Sequence, residues 1–506
     1  MTTGSQNHAY GVLRERYGNM LKLFGASRVL YWDSQAYMPP DGQWARGEQQ
    51  AALSIAMHDL VEREDAAQLF AEAESQQESL TDIERTNLAE MKKSWRDSRA
   101  VPQDLALRSQ RLALAAQAAW RTAKAENDFP SFAKAFAEFV PVYREVVQAR
   151  AATSKFGPYD TLLEDCDPGI GAATVETILR DLEAELPQLL AEVLERQKSW
   201  PPPVPFSGDF SKERQRELSY EILGCVLNDP RKSRIDEVPH PFTLALSPGD
   251  VRITTRYEPN IRFAIMIALH ESGHAMYESG MPRSLAYSCV GMARGATMHE
   301  SQSLMVEMQA GRSHEFLTWL APRLAETFGG DPKCWTFANV LNAYRRVGEG
   351  FIRVEADEIS YPLHIILRCK LEQAILAGDL AVNDIPAAWC DLSQKLFGRR
   401  PPDDAQGCLQ DYHWSAGLFG YFHSYALGAA LAAQYFEKAT QDDPGIRERL
   451  AQGDFGPYRA WVRPRIHEHA STIPFDKIVR GATGRSFSSD AFRRHLRRRY
   501  IEEPLA

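Results

Sequence analysis

The 506-residue chain lacks the features that mark membrane and secreted proteins. No apolar segment follows Met1 as in a signal peptide, and no uninterrupted apolar stretch approaches the length that spans a membrane. The seven cysteines are scattered and form no C-x-x-C pair, which predicts reduced, mostly buried thiols rather than a disulfide framework. We therefore expect a soluble, cytoplasmic protein with no membrane partner.

The chain also lacks a net positive charge. The formal net charge is -9 and is spread along the chain, so there is no broad basic surface for nucleic acid. The one dense basic run covers residues 493–499, and the flanking Phe492 and Tyr500 favour the solvated face of a last helix over a nucleic-acid patch. We expect no nucleic-acid partner.

Helical periodicity dominates the rest of the chain. Amphipathic segments are predicted over residues 9–24, 44–75, 81–97, 102–126, 130–153, 172–198 and 211–226. Thr81 and Glu84 form a capping box at the start of the third segment. Helical patterns return after residue 300, and we find no internal repeat.

The clearest strand signal lies just before the middle of the chain. Residues 242–246 and 251–257 flank a turn sequence at 247–250, which predicts a β-hairpin with a four-residue loop. The chain is therefore predicted to be mainly α, a large helical body with a small antiparallel β-sheet. The proline-rich segment 200–205 marks a possible lobe break near 199–207, but nothing else there resembles a flexible linker, so one domain over residues 1–506 is expected.

The most informative motif is H-E-x-x-H at residues 270–274. On a helix, His270 and His274 lie one turn apart and face the same point, so they supply half of a tetrahedral zinc site. The intervening Glu271 is then positioned as a general base toward water. Pro259 and Asn260 suit the start of such a helix, and Gly280 with Pro282 suits its end.

A catalytic zinc requires a third protein ligand and an open fourth position. In one type of site this ligand is a histidine six residues after the motif, but Gly280 occupies that position here. The alternative is a glutamate from the next helix, for which Glu300, Glu307 and, less plausibly, Glu278 are candidates.

Glu300 is our preferred third ligand. It opens a new helical segment after Gly291 and Gly295, which allow the chain to turn back toward the motif. His299 is a rival ligand or a group that orients a ligand. The spacing alone is equally compatible with Glu300 as a first-turn carboxylate that interacts with the helix dipole.

Six motifs, taken in order, resemble those of the carboxypeptidase Taq family, the M32 metallocarboxypeptidases. Besides H-E-x-x-H, they are HPF at 240–242, DVRIT at 250–254, HESQ at 299–302, IRVEADE at 352–358 and GCLQDYHW at 407–414. The resemblance extends from Trp32 to the glycine-rich stretch near 428, so it covers most of the chain.

The resemblance implies a carboxypeptidase that removes C-terminal amino acids from peptides. It implies that His270, His274 and Glu300 hold Zn²⁺, with Co²⁺ as an alternative, and that the chain forms a homodimer with a deep active-site groove. Departures from the family pattern are Leu304 in place of an arginine, His423 in place of a proline, and an altered pair at 359–360. These departures leave the substrate preference open.

A carboxypeptidase also requires a cation for the terminal carboxylate of its substrate. Arginine suits this role because its planar fork pairs with a carboxylate through two hydrogen bonds. Arg252, Arg256 and Arg353 are candidates, and Arg353 is preferred because it lies in one of the family motifs.

Further substrate contacts are expected from four residues of the family motifs and their surroundings, His240, His413, Tyr421 and Tyr425. They are candidates for binding the oxyanion or the substrate backbone. Asp411 is expected to orient a neighbouring histidine or to cap a helix.

The sequence is also compatible with two other functions. A zinc oligopeptidase that cuts internally shares the metal chemistry but does not require a carboxylate-binding arginine. A helical scaffold with a structural metal is less favoured, because such a site has no need of Glu271 and fills its fourth ligand position.

Overall fold

The computed structural model describes residues 7–227, 229–348 and 350–503. The helices are α1 (His8–Ala36), α2 (Gln43–Val61), α3 (Ala66–Ser75), α4 (Asp82–Arg99), α5 (Gln103–Glu126), α6 (Phe129–Ala152), α7 (Pro158–Cys166), α8 (Ala172–Gln197), α9 (Lys212–Val226), α10 (Ile261–Gly280), α11 (Gly295–Leu304), α12 (His314–Phe328), α13 (Phe337–Arg345), α14 (Ser360–Ala377), α15 (Ile385–Phe397), α16 (His423–Asp442), α17 (Gly445–Leu450), α18 (Gly456–Arg465), α19 (Phe475–Thr483) and α20 (Asp490–Arg497). The strands are β1 (Ser233–Glu237), β2 (Thr243–Ser247) and β3 (Asp250–Thr255). Two π-helical segments, Met305–Ala310 and Arg498–Glu502, extend α11 and α20. The predicted mainly α class with a small sheet is confirmed.

The structure divides the predicted helix 44–75 into α2 and α3. Phe70 and Ala73 of α3 join a buried cluster with Tyr10, Leu13 and Tyr17 of α1. The apolar pattern alone does not reveal the break, because packing against α1 sets the direction of α3. The prediction of one continuous helix is therefore wrong, whereas the predicted capping box at the start of α4 is confirmed.

The sheet has the strand order β1-β3-β2. The predicted hairpin of β2 and β3 is antiparallel, but its loop is shorter than expected because Ser247 already pairs with Asp250. Strand β1 pairs with β3 in parallel, so the sheet is mixed and the prediction of a purely antiparallel sheet is wrong. Its short sequence, with three charged residues in five, carries no clear strand signal.

The proline-rich segment is a fixed connection between helices. Asn339 of α13 accepts a hydrogen bond from the Val204 amide at 2.7 Å and donates one to its carbonyl at 3.0 Å. Asn342 donates to the Pro201 carbonyl at 2.9 Å. The single-domain arrangement over residues 1–506 stays a prediction.

The basic run 493–499 has two environments. Arg494, Arg497 and Arg498 are exposed, as predicted for a solvated helix face. Arg499, in contrast, is only 5% exposed and donates to both carboxylate oxygens of Glu358 at 2.8 Å. Within the described ranges, no helix combines the length and apolarity needed to cross a membrane.

Candidate active site

Helix α10 carries the H-E-x-x-H motif through the interior of the protein. It begins at Ile261 and ends at Gly280, as predicted, and most of its residues are buried on every side. The ring centroids of His270 and His274 lie 4.8 Å apart, with the ring planes at 84°. The two imidazoles therefore converge from successive turns of one helix.

Glycine at position 273 allows α11 to approach α10 closely. A Cβ atom at Gly273 would lie 2.5 Å from the Gln302 carbonyl oxygen, so no larger residue fits there without a shift of the backbone. This approach brings Glu300 Oε2 to 3.8 Å from His270 Nε2 and 3.6 Å from His274 Nε2. The three predicted ligands are thereby brought together.

The start of α11 is held by Asp167, which follows α7. Its carboxylate accepts hydrogen bonds from the Thr297 amide at 2.6 Å, from the Thr297 hydroxyl at 2.7 Å and from Ser424 of α16 at 2.8 Å. A Cβ at Gly428 of α16 would lie 2.7 Å from Glu300 Cγ, so α16 confines the Glu300 side chain from its other side. Sequence reasoning did not identify Asp167.

Both histidines are oriented by hydrogen bonds to their Nδ1 atoms. His270 Nδ1 lies 2.9 Å from Glu307 Oε2, and Arg312 donates to the other oxygen of Glu307 at 3.1 Å. His274 Nδ1 donates to the His299 carbonyl at 3.1 Å. These partners leave both Nε2 atoms directed toward Glu300, the arrangement that metal-binding histidines commonly have.

The rival ligands have other partners in the structure. Glu307 binds the far side of His270, and His299 Nε2 pairs with Glu278 at 3.0 Å. The ring of His299 stacks on His274 with a centroid distance of 4.3 Å. None of these three groups belongs to the cluster formed by the Nε2 atoms and Glu300.

The charge distribution of the cluster suits a divalent cation. The ligand atoms of His270, His274 and Glu300 all lie within 4.8 Å of one another, and Glu300 Oε1 is buried without a hydrogen-bond partner. Burial raises the pKa of Glu300. Burial opposes the charged form of His270, but Glu300 and Glu307 outweigh this effect and raise its pKa to about 10. Two imidazole nitrogens and one carboxylate are a ligand set that fits a catalytic zinc.

Glu271 lies at the edge of the sheet. It is 6% exposed, and the hydroxyl of Thr243 on β2 donates to Glu271 Oε2 at 2.5 Å. Burial raises the pKa of Glu271. Sequence reasoning missed Thr243, although it directly follows the HPF motif, because only the fold brings β2 against α10.

Arg353 belongs to a second buried cluster, around Asp411. Arg353 Nη2 lies 2.9 Å from Asp411 Oδ1, and Arg368 Nη2 lies 2.5 Å from Asp411 Oδ2. Burial would raise the pKa of Asp411, but the two guanidinium groups hold it well below its usual range. Among the described residues, no group accepts a hydrogen bond from Arg353 Nη1. The predicted role of Asp411 as a histidine-orienting group or helix cap is thus replaced by an ion pair with two arginines; its closest approach to His413 is 3.7 Å.

Aromatic side chains surround this cluster on the side of the candidate metal ligands. The Arg353 guanidinium lies 5.0 Å from the Tyr425 ring centroid, and Tyr421 meets Tyr425 edge to face at 5.5 Å. His413 stacks on Tyr421 at 6.0 Å. Burial raises the pKa of Tyr425 to about 12; the charge of Arg353 opposes this rise and the charge of Glu300 adds to it.

Tyr361 belongs to the same group of aromatic side chains, and the sequence analysis did not select it. It is the second residue of α14, just after the IRVEADE motif, and its ring centroid is 6.2 Å from that of Tyr425. Burial, followed by the charge of Glu300, raises the pKa of Tyr361 well above its usual value. Proximity to Glu300 could not be read from the motif alone.

The structure does not bring every candidate into these clusters. His240 is exposed in the loop between β1 and β2 and has no hydrogen bond to any described residue. Arg252 pairs with Asp250 and lies 4.7 Å from the Trp32 ring centroid. Arg256 pairs with Glu258. Of the three candidate arginines, only Arg353 therefore lies among the aromatic residues described above.

The departures from the family pattern lie beside the site. His423 Nε2 is 2.9 Å from Asp167 Oδ2, and both side chains are fully buried. Leu304 is a buried residue at the end of α11. Neither side chain belongs to the cluster of candidate ligands.

Comparison with known proteins agrees with this architecture. The family model for carboxypeptidase Taq (M32) metallopeptidase matches residues 13–500. Thermostable carboxypeptidase 1 of Thermus thermophilus is 33% identical over 505 residues, covering 97% of this chain and 98% of that protein. The solved structure of Trypanosoma cruzi metallocarboxypeptidase 1 has a TM-score of 0.94 and 34% identity, covering 98% of this chain and all of that one. A structure of the Pyrococcus furiosus carboxypeptidase described as Apo-Mg has a TM-score of 0.91 and 30% identity, over 98% of this chain and 99% of that one. The chain therefore belongs to the carboxypeptidase Taq (M32) family of metallopeptidases.

Proposed function

We propose that this metallocarboxypeptidase removes C-terminal residues from peptides with a divalent cation held by His270, His274 and Glu300. The observation that carries the proposal is the convergence of three ligand atoms within 4.8 Å beside a buried carboxylate oxygen that has no partner. A purely structural zinc site would supply a fourth ligand, and no fourth group belongs to this cluster within the described residues.

Zinc is the proposed ion, with cobalt as the alternative. Magnesium prefers an octahedral set of oxygen ligands, whereas two imidazole nitrogens suit zinc and cobalt. The chemistry that such an ion supplies when bound is Lewis-acid polarisation of the scissile carbonyl and a lowered pKa of water, about 7 for zinc.

Glu271 is the proposed general base. It accepts the proton of the attacking water and returns a proton to the departing amine. The Thr243 hydroxyl, 2.5 Å from Glu271 Oε2, fixes one carboxylate oxygen and leaves the other for the water. Glu271 directly follows His270 on α10. We therefore expect its carboxylate and the cation to act on the same bound peptide.

Arg353 is the proposed binding group for the terminal carboxylate of the substrate. Asp411 holds one edge of its guanidinium, while Nη1 has no acceptor among the described residues. Tyr425 lies against the same guanidinium. Tyr421 contacts Tyr425, and His413 stacks on Tyr421. These three side chains are the proposed contacts to the substrate backbone or the oxyanion. His240, exposed in the loop that precedes Thr243, is a further proposed contact to the substrate.

We also propose that the protein is a cytoplasmic homodimer. All seven cysteines are free, which suits a reducing compartment, and the dimer follows from the family resemblance. Light scattering should give twice the mass of one chain; the mass of a monomer at micromolar concentration would contradict the dimer.

The experiment that tests the function compares one peptide with a free and with an amidated C-terminus. The protein is first stripped with a chelator and then loaded with zinc, cobalt or magnesium. We expect stepwise release of C-terminal residues from the free peptide with zinc or cobalt, and little reaction with the amide. Equal cleavage of both peptides at internal bonds would instead identify an oligopeptidase.

A further inference from the structure

A cavity of about 430 Å³ lies between α16, α17 and α20, and none of the residues of the proposed function lines it. The charged side chains that line it are Arg447, Arg494, Arg497, Arg498, Glu437 and Glu502. Arg494 pairs with Glu437 and Arg497 pairs with Glu185, so their charges are largely compensated, whereas Arg447 and Arg498 are held less completely. Three of these arginines belong to the basic run 493–499, for which the sequence predicts only contact with solvent.

Two of the arginines keep hydrogen-bond donors that no described residue uses. Arg447 donates from Nη1 to Glu315 at 3.0 Å, and its Nη2 has no acceptor. Arg498 comes closest to Glu503 through Nε, at 3.3 Å, and no described residue accepts a hydrogen bond from its Nη atoms. After burial, the charge of Arg447 is the next largest effect that lowers the pKa of Arg498, so the two guanidinium groups are close enough to repel each other. An anion between them would remove this repulsion.

A buried amide without a partner completes the donor set. Gln309 lines the cavity and is 2% exposed, and its Nε2 atom has no hydrogen-bond partner among the described residues. A buried donor of this kind destabilises a fold unless something else satisfies it. An acceptor atom of a ligand in the cavity would do so once the Gln309 side chain turns toward it.

The other walls are apolar. Ala433, Phe436 and Ala491 line the cavity, and the Arg447 guanidinium lies 5.5 Å from the Phe436 ring centroid. The cavity has the volume of a small-molecule site and is much larger than a single phosphate or sulfate ion. The expected ligand thus has an organic body as well as a negative charge.

We propose that this cavity binds a small organic anion of at least two negative charges, a phosphate monoester or a di- or tricarboxylate. Its anionic group would lie between Arg447 and Arg498, with one oxygen accepting a hydrogen bond from Gln309 Nε2. The arginine fork recognises both phosphate and carboxylate groups, so these two sources share one chemistry.

Calorimetric titration of the metal-loaded protein at low ionic strength tests the site. Glycerol 3-phosphate and citrate are the two probes, and glycerol is the uncharged control. We expect saturable binding of at least one anion, and the anion that binds identifies the class. The dissociation constant should rise about tenfold or more in Arg447→Met and in Arg498→Met. Added salt should weaken binding.

Matched variants distinguish binding in the cavity from binding elsewhere on the protein. Arg463→Met removes an exposed arginine that pairs with Glu468 outside the cavity, and it should bind like the unmodified protein. A probe that coordinates the active-site metal, and not the cavity, would bind both cavity variants as tightly as the unmodified protein. Such equal binding would contradict the proposal. Absence of binding by both probes up to about 10 mM would also contradict it.

Gln309→Met distinguishes a ligand contact from a structural role. The substitution replaces an unsatisfied buried amide with an apolar side chain of similar length, so the thermal unfolding temperature should stay equal or rise. Anion affinity should nevertheless fall. Lower stability with unchanged affinity would show that Gln309 serves the fold and does not bind the anion.

Discussion

Two buried clusters in this protein have opposite charge imbalances. At His270, His274 and Glu300, one carboxylate oxygen is buried without a partner. Around Asp411, two guanidinium groups share a single carboxylate, so positive charge is in excess. Because uncompensated buried charge is costly, the first cluster is suited to a cation and the second to an anion.

A third cluster shows what a balanced arrangement looks like. Both oxygens of Glu358 accept hydrogen bonds from Arg499 at 2.8 Å, and Tyr500 adds a third at 2.8 Å. Arg499 in turn donates to the carbonyls of Met308 and Gln309 in the π-helical segment. No ligand is required there. The contrast indicates that imbalance, rather than burial of charge alone, distinguishes the two clusters for which we propose a bound metal ion and a bound carboxylate.

The largest loss of activity is expected at Glu271, the proposed general base beside the candidate metal ligands. Glu271→Gln should lower kcat by about 10²–10⁴-fold, because the amide cannot accept the proton of the attacking water. Metal content should not change, since Glu271 is not one of the converging ligand atoms. Initial rates and elemental analysis on the same sample measure both. Hydrolysis near the original rate would exclude Glu271 as the base.

Removing the excess positive charge tests the second cluster. Arg353→Met should raise KM for peptides with a free C-terminus by about 10- to 100-fold, because a charge-assisted pair is lost. The ratio of reaction with free and amidated peptides should fall by the same factor. Arg252→Met is the control, since Arg252 pairs with Asp250 at the sheet. An unchanged ratio in Arg353→Met would exclude Arg353 as the carboxylate-binding group.

The hydrogen bond behind His270 should tune the metal affinity. Glu307→Gln weakens the orientation of His270 and removes a nearby negative charge, so zinc should bind about 10- to 100-fold more weakly. Glu278→Gln is a control carboxylate, because Glu278 contacts His299 and not a proposed ligand. Competition with a coloured chelator measures both variants. Equal zinc affinity in Glu307→Gln and the unmodified protein would contradict an orienting role.

The smallest effect is expected at the sheet. Thr243→Val keeps the shape of the side chain but removes the hydrogen bond to Glu271, so kcat should fall by about tenfold or less. Zinc affinity should be unchanged in Thr243→Val, whereas it should fall in Glu307→Gln. A loss of zinc from Thr243→Val would instead indicate that β2 supports the metal cluster as a whole.

The motif helix could be predicted closely from the sequence because its signals are local. The ends of α10 follow from Asn260, Gly280 and Pro282, and the spacing of the histidines follows from helical geometry alone. The choice between Glu300 and Glu307 is different, because both lie on one continuous segment two turns apart. Contact between α10 and α11 at Gly273 determines which carboxylate meets the two Nε2 atoms, and sequence spacing contains no such information.

The parts that could not be predicted depend on distant segments. Thr243 reaches Glu271 only because the sheet packs against α10, and Asp167 reaches α11 from a position 130 residues earlier in the chain. The parallel pairing of β1 with β3 likewise joins strands that are not consecutive. His240 is the opposite case. Its motif predicts a functional residue, but in the structure the side chain lies exposed at the surface.

We propose that a metal ion binds where the two histidines of α10 meet Glu300. Crystals of the zinc-loaded protein measured on both sides of the zinc absorption edge test it most directly. We predict one strong anomalous peak per chain at about 2.0–2.2 Å from His270 Nε2, His274 Nε2 and a Glu300 carboxylate oxygen. A peak bound instead by Glu307 or His299, or no peak in a sample that contains one zinc per chain, would contradict this metal site.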